Sequence, residues 1–336
     1  MYRTSNEDKV LVVLLTYNSV SKLKKYFDRV LCSILAQDYP DFELAIVDNC
    51  SLDDTVEYIK LYNKNIKILK LRKNYGWGGG NNRGAILSKR ANLLLFLNDD
   101  IILENNCISE MVCFLNRNTD IAAIQPLIYN MDGTLNLGCN IGVSGIPEVI
   151  NRLEEHKLFY VTGAAMLTRK DIFFEVGMFD EDLFFWHDDL DYCWRLRLAG
   201  YKVACLRTVK AYHYNSATLG QRNPILLYYL IKNNIWVLAK CCSLKYFIFR
   251  AIIMVGEVFV SYIIGYSLRK DYERVWLTMK GLVDGLKRLG NAFIKRKYIR
   301  KLTKENDRQL IKMANPYIDI KLFFPPIIRK ALRTLR

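Results

Sequence analysis

Short runs of apolar residues, each closed by polar ones, set the rhythm of the first hundred positions. The run 10–15 is unbroken Val and Leu, as in a strand buried on both faces, and it stops at Thr16-Tyr17-Asn18. Runs at 42–47, 66–71 and 92–97 repeat the pattern and stop at Asp48-Asn49, Lys73-Asn74 and Asn98-Asp99-Asp100. Between them, 21–36 has helical periodicity, and 51–62 opens with capping residues in Ser51-Leu-Asp-Asp-Thr. A glycine-rich loop over 74–84 leads into a short helix over 82–90. Strand and helix alternating in this way predict right-handed βαβ units and a mostly parallel α/β sheet. Ligands of such sheets bind beyond the carboxyl ends of the strands. This chain puts Thr16, Asn18, Asp48, Asn49, Asn74, Asp99 and Asp100 there.

The rhythm then loosens. A strand is expected over 121–126, a turn at Tyr129-Asn-Met-Asp-Gly-Thr, and a strand or bend over 157–169. Thr162-Gly163-Ala164-Ala165 inside that stretch points to close backbone approach. The densest signal lies in 177–201. Six of the twelve residues from Asp180 to Asp191 are acidic, yet Phe184, Phe185 and Trp186 run through them. A solvated acidic loop needs no aromatics, so the block predicts a partly dry pocket holding a cation, a proton acceptor or both. Leu190, Cys193, Trp194 and Leu198 then fall on one helical face, with Arg195 and Arg197 off it. Gly200 is placed for a left-handed cap, and 201–205 reads as a returning strand. Asp188, Asp189 and Asp191 fall in the first helical turn, where the helix dipole favours ionised carboxylates. Capping alone is the plainer account of those acids.

Charge divides the chain in two. From Asn223 onward there are 23 Lys/Arg against 7 Asp/Glu, a net of +16, while residues 1–222 hold 26 against 27. This predicts a near-neutral domain over 1–222 and a basic helical region over 223–336 that meets something anionic. The nine cysteines form no metal-spaced cluster, which favours a reducing compartment. No secretory signal is visible at the start, where 10–15 is too short for a signal core.

Adjacent carboxylates such as Asp99 and Asp100 repel unless a cation or proton lies between them. A hard divalent ion that also holds phosphate fits such a pair, and His213 would add a nitrogen ligand and favour Mn²⁺ over Mg²⁺. A lone histidine at a strand end is otherwise usually structural. The glycine-rich stretch matches neither dinucleotide nor Walker spacing, so phosphate cradle and flexible hinge are equally good accounts of it.

Together these segments resemble the inverting glycosyltransferases of family 2 with the GT-A fold, nearest the rhamnosyltransferase-like branch. The resemblance rests on Thr16-Tyr-Asn18, Val47-Asp-Asn-Cys-Ser-Leu-Asp-Asp-Thr55, Asn74-Tyr-Gly-Trp-Gly-Gly-Gly-Asn-Asn82, Leu97-Asn-Asp-Asp100, Thr162-Gly-Ala-Ala-Met-Leu167, the block 177–201 and His213. It spans about residues 10 to 215. It implies that Thr16, Tyr17, Asn18, Asp48, Asn74, Asn82 and Asp99 hold a UDP- or dTDP-sugar. It implies that Asp100, with His213, binds Mn²⁺ or Mg²⁺, and that Asp189 is the general base. Gly163, Ala164, Trp186 and Asp188 would lie on the acceptor side. Three positions depart from the family pattern: Asp188 stands where the family's pair has Glu, His187 where a small residue is common, and Asn98 at the first position of the DxD-type motif Asn98-Asp99-Asp100.

The segment 246–266 is apolar except for Arg250 and Glu257. Its length suits a span, but each central charge costs roughly 2.5–3.5 kcal/mol on insertion scales. A helix lying in the interface, or packed on the catalytic domain, is at least as good a reading. Basic residues at Lys295-Arg-Lys and Arg300-Lys301, then Leu322-Phe-Phe-Pro-Pro-Ile-Ile, suit an anionic membrane surface. An ordinary basic tail packing its own core is the plain alternative. Nucleic acid fits poorly, because the apolar content is high and no recognition module is present. The expected activity is therefore sugar transfer from a nucleotide-diphosphate donor to a lipid-linked or surface-glycan acceptor, at the cytoplasmic face of a membrane, by a peripheral or monotopic protein. The rivals are a polyprenyl-phosphate glycosyltransferase and a catalytically silent binding module of the same fold.

Overall fold

The computed structural model describes residues 8–62, 66–153, 158–214 and 223–313. It divides into two units. The first comprises the chain to Gln221 without the segment Asn140–Glu148; the second comprises that segment and the chain from Arg222. Against the expected division into 1–222 and 223–336, the second unit also takes in nine residues from the middle of the chain. The expected apolar stretch 322–328 lies outside the described residues.

Up to His213 the order is β1 (Val10–Thr16), α1 (Ser19–Leu23), α2 (Lys25–Leu35), β2 (Phe42–Asp48), α3 (Thr55–Tyr62), β3 (Lys67–Lys70), α4 (Gly76–Ala85) and β4 (Leu93–Asn98). There follow β5 (Ile101–Leu103), α5 (Cys107–Arg117), β6 (Ile121–Asn130), β7 (Leu135–Asn136), β8 (Cys139–Ile141), β9 (Pro147–Val149), β10 (Ala165–Arg169), α6 (Lys170–Glu175), α7 (Asp188–Leu198) and β11 (Lys202–His213). Among the described residues the main sheet runs β3-β2-β1-β4-β10-β6-β11-β5, with β7 on β6. β1, β2, β3 and β4 are mutually parallel, as the runs predict, and the central strands β1 and β4 are apolar on both faces, every residue of β1 being buried.

β10 is antiparallel to both β4 and β6, and β11 is parallel to β6. The chain therefore brings the start of β10 and the end of β11 to the same edge as the ends of β1, β2 and β4. That is the one topological fact the site needs.

Three expectations change. The helix over 21–36 is two helices, parted at Lys24, whose φ is +49°. The glycine-rich stretch is not a loop but helix α4 itself. Its glycines are there for close packing: a Cβ on Gly84 would meet Val13 Cγ1 at 2.3 Å, and one on Gly80 would meet Leu15 Cδ1 at 2.4 Å. A helix of bulkier residues would not lie this near β1. Finally, β11 continues to His213. The apolar run breaks at Arg207 because the pairing with β6 shifts register between Leu206 and Lys210, not because the strand ends.

The second unit contains α8 (Ile225–Cys241), α9 (Leu244–Glu257), a π-helical stretch Val258–Ile264, α10 (Gly265–Ser267), α11 (Tyr272–Lys287), α12 (Leu289–Leu302) and α13 (Asp307–Met313). α8 packs on α11 and α12. The α8–α11 contact is close because α11 turns glycines inward: Cβ atoms on Gly281 and Gly285 would meet Tyr228 O at 2.9 Å and Ile235 Cδ1 at 2.6 Å.

Candidate active site

Each parallel strand ends where its ladder stops, and the freed polar side chains gather along that edge. At the end of β1, Thr16 Oγ1 lies 3.5 Å from Asp48 Oδ1, at the end of β2. The other Asp48 oxygen accepts the Ser51 N–H. Asn18 takes a left-handed conformation, φ 52°, so its Oδ1 reaches the Leu52 N–H while its own N–H donates to Ser51 Oγ. Tyr17 is covered by Lys22, whose ammonium sits 4.3 Å from the ring centre and donates to the Tyr17 carbonyl. Asn74 accepts from Asn49 Nδ2 at 3.0 Å and from the Gly76 N–H at 2.8 Å.

At the end of β4 the two carboxylates part company. Asp99 is buried and bonded to Ser19 Oγ, and burial together with the Asp100 charge pushes its carboxyl up to about 7. Asp100 Oδ1 lies 3.1 Å from His213 Nε2, although 113 residues separate them. The second observation follows from the topology, since β11 ends on this edge. One carboxylate oxygen and one imidazole nitrogen facing the same corner suit a divalent cation that takes its other ligands from water and phosphate. Among the described residues no group of three or more His, Cys, Asp or Glu stands at metal-holding spacing.

The acidic block closes the other side. Phe184, Trp186 and His187 all have positive φ, and Phe184 and Trp186 stay about two-fifths exposed in spite of their size. This turn delivers Asp188 and Asp189 to the first turn of α7. Asp189 is half-buried, and desolvation pushes its carboxyl up, but it accepts two backbone bonds: Oδ2 from Gly163 N–H at 3.0 Å and Oδ1 from Leu190 N–H at 2.8 Å. Those donors favour its ionised form. Asp188 is pushed much higher, by burial first and then by Asp189, Asp191 and Asp180, and its Oδ1 is buried without a hydrogen-bond partner. The ring nitrogens of His187 are also buried without partners, and burial lowers that imidazole to about 3, so it is neutral.

Some side chains are not where the sequence put them. Arg195 and Arg197 do not lie off a buried face; both are buried. Arg195 pairs with Asp191 and donates to the Val176 and Met178 carbonyls, while Arg197 donates to Leu158 and Phe159 carbonyls. Helical spacing cannot show that a guanidinium is needed inside to satisfy loop carbonyls. Asp191 is thus a partner of Arg195 rather than an open acid. Asn82 commits its amide to both backbone groups of Phe179, at 2.9 and 3.0 Å, and so ties α4 to the acidic block. Ala164 anchors β10 to β4 by accepting the Asn98 N–H. Sequence reasoning passed over Ser19, Lys22 and the bond from Trp77 Nε1 to Asn98 Oδ1, at 2.7 Å, which lays the indole against Gly163. The glycine at 163 was the available signal, since a Cβ there would meet that ring at 2.5 Å.

The profile of glycosyl transferase family 2 matches residues 11–177. The chain is 24% identical over 221 residues to the low-salt glycan biosynthesis hexosyltransferase Agl10 of Haloferax volcanii, covering 61% of this chain and 67% of that one. It is 26% identical over 194 residues to the dTDP-rhamnosyl transferase RfbF of Shigella flexneri, covering 52% and 64%. It is also 26% identical over 234 residues to protein y4gI of Sinorhizobium fredii, covering 64% of this chain but only a quarter of that longer one. Among solved structures, Staphylococcus aureus TarS 1–349 in complex with UDP superposes with a TM-score of 0.57 at 16% identity, covering 98% of this chain and 92% of that one. GalNAc-T7 with UDP, GalNAc and Mn²⁺ gives 0.59 at 14%, covering 86% and 57%. Sheet order, site edge and these likenesses agree: the chain is a member of glycosyltransferase family 2 with the GT-A fold and a rhamnosyltransferase-like relative.

Proposed function

We propose that the chain is an inverting transferase moving a sugar from a UDP- or dTDP-sugar to a hydroxyl of a lipid-linked or surface-glycan acceptor. The observation that carries this reading is Asp189. Burial makes it more basic than an ordinary carboxylate, yet two backbone donors hold it as an oxyanion on the same sheet edge as Asp48 and the Asp99–Asp100–His213 corner. Asp188, its neighbour, holds its proton too firmly to serve.

In this reading the acceptor oxygen attacks the anomeric carbon as the bond to the donor diphosphate breaks. Asp189 takes the proton that the acceptor hydroxyl loses. Thr16, Tyr17, Asn18, Asp48 and Asn74 orient the base and ribose, with Lys22 giving positive charge beside Asp99. A bound Mn²⁺ or Mg²⁺ at Asp100 and His213 would neutralise charge gathering on the diphosphate. Trp186, Gly163 and Ala164 lie toward the acceptor, and Asn82 and Trp77 hold the parts together. The GalNAc-T7 complex supports the cation and the RfbF relative supports a deoxyhexose donor. The basic charge after Asn223 supports action at the cytoplasmic face of a membrane. Full-length protein incubated with a panel of UDP- and dTDP-sugars, with and without Mn²⁺, should release nucleotide from at least one of them. Failure across the panel with acceptor extracts present would leave a binding module, and unchanged activity in EDTA would remove the cation.

A further inference from the structure

The second unit buries apolar residues such as Val237, Leu238, Met254 and Val258, yet two of its helices also turn an apolar stripe outward. Leu244–Ser267 forms one continuous helical stretch of 24 residues, and its most apolar 18-residue window has a mean hydropathy of 2.0 with only a third of it buried. Its outward positions are Leu244, Ile248, Ile252, Val255 and Phe259, three or four apart, and all are about half exposed or more. The inward side carries Arg250 and Glu257, both buried, with Arg250 donating to the Gly142 and Val143 carbonyls. α11 repeats the arrangement: Tyr272, Trp276, Met279, Val283 and Leu286 are exposed at spacings of four and three, while Thr278, Gly281 and Gly285 face inward.

A soluble helix turns its apolar stripe to the core. Here two helices of one unit, with α11 packed on the π-helical stretch, turn theirs out. Small residues at a helix contact and polar groups inside are how helices pack where lipid, not water, surrounds them. We infer that these two stripes are a lipid-contact face, laid into the interface of an anionic bilayer rather than spanning it. The inference rests on the membrane placement proposed above and names the surface that makes it. Lipid is favoured over a second copy by charge and by belts. The unit's excess of Lys and Arg would repel a like copy but complements anionic headgroups. Lys245 and Tyr246 stand at one end of the long helix, and Tyr266, Arg269 and Lys270 at the other. These residue types anchor at the headgroup level. An in-plane pose fits because each stripe occupies one face and the opposite face holds the charges.

The test is co-sedimentation of the full chain with phosphatidylcholine vesicles, with and without phosphatidylglycerol. The chain should bind the anionic vesicles and keep part of that binding in high salt. The double variant Phe259→Glu/Trp276→Glu should bind at least ~10-fold less at any salt, since apolar burial is not screened. Lys295→Glu/Lys297→Glu should lose binding at low salt and leave the salt-resistant part. Both should keep donor hydrolysis, so a catalytically silent protein that binds vesicles overturns only the transfer reading. A protein that ignores vesicles and forms a dimer broken by Phe259→Glu/Trp276→Glu would assign the face to a second copy. Equal vesicle binding by the apolar double variant and the unaltered chain would overturn the lipid-contact face outright.

Discussion

The two units differ in what they leave exposed. In the first, Leu14 of β1 and Leu95 of β4 are fully buried, and the candidate acids gather at strand ends and in the first turn of α7. In the second, Arg250 and Glu257 are buried, while Ile252, at 68% exposure, and Phe259 face outward. The first unit is thus ordered for water, with its chemistry confined to an edge where backbone bonding runs out. The second buries an apolar interior as well, but keeps two apolar stripes outside, as the proposed lipid contact requires. One chain carries both arrangements because the hydrophobic effect fixes only which side faces away from water, not which side faces the protein.

The sharpest way to probe the first arrangement is to remove its base. Asp189→Asn should lower turnover by at least ~10²-fold with donor affinity kept. Because burial pushes the Asp189 carboxyl up, the acid limb of the pH–rate profile should lie above the ordinary carboxylate range, with activity lost as pH falls through it. If Asp189→Asn were near normal and Asp188→Asn dead, the base would be the neighbour. Stability offers a second sign. Asp188 binds its proton more tightly folded than unfolded, so it destabilises the fold as pH rises from the ordinary carboxylate value toward its raised one. Asp188→Asn should flatten that decline and match or exceed the parent at neutral pH in a thermal melt. A steeper decline in the variant would mean that Asp188 is ionised in the fold.

Core deletions come next in size. Leu95→Ala, at a site with no exposure, should cost about 2–5 kcal/mol in urea unfolding of the first unit. Arg250→Met should cost about 1–3 kcal/mol, the penalty of leaving the Gly142 and Val143 carbonyls without their donor. A stabilised Arg250→Met would show that water or another group already serves those carbonyls.

The parallel half of the sheet and its edge were legible because apolar runs and their polar stops are local signals. Asp48 and Asp100 could be named from them, whereas Asp189 was named from the acidic block and the family resemblance. What was not legible depends on space. Gly80 and Gly84 read as a loop until β1 stands beside them, and then they are the reason a helix fits there. Arg195 and Arg197 read as solvent-facing until the loop carbonyls of Val176, Met178, Leu158 and Phe159 surround them. Segment Asn140–Glu148 gave no sign that it would join the second unit, because Arg250 and Asn234, about a hundred residues later, are among its partners.

The smallest expected effect separates the units most cleanly. Ile252→Ser removes a large apolar side chain from a helix rich in such residues, and in an ordinary core that change would be severe. Here the side chain is already 68% exposed, so in aqueous buffer its burial contributes little, and stability should move by no more than ~0.5 kcal/mol. The same substitution at Leu95 would leave a cavity and bury a hydroxyl, so the two sites form a matched pair: same chemistry, opposite cost. Adding anionic vesicles should change only one member. If Ile252 contacts lipid, Ile252→Ser should reduce the stabilisation that vesicles confer on the chain, because ligand binding to the folded state raises its stability in proportion to affinity. A loss of several kcal/mol for Ile252→Ser in buffer alone would mean that this helix face is covered by protein, and the contrast between the two units would collapse.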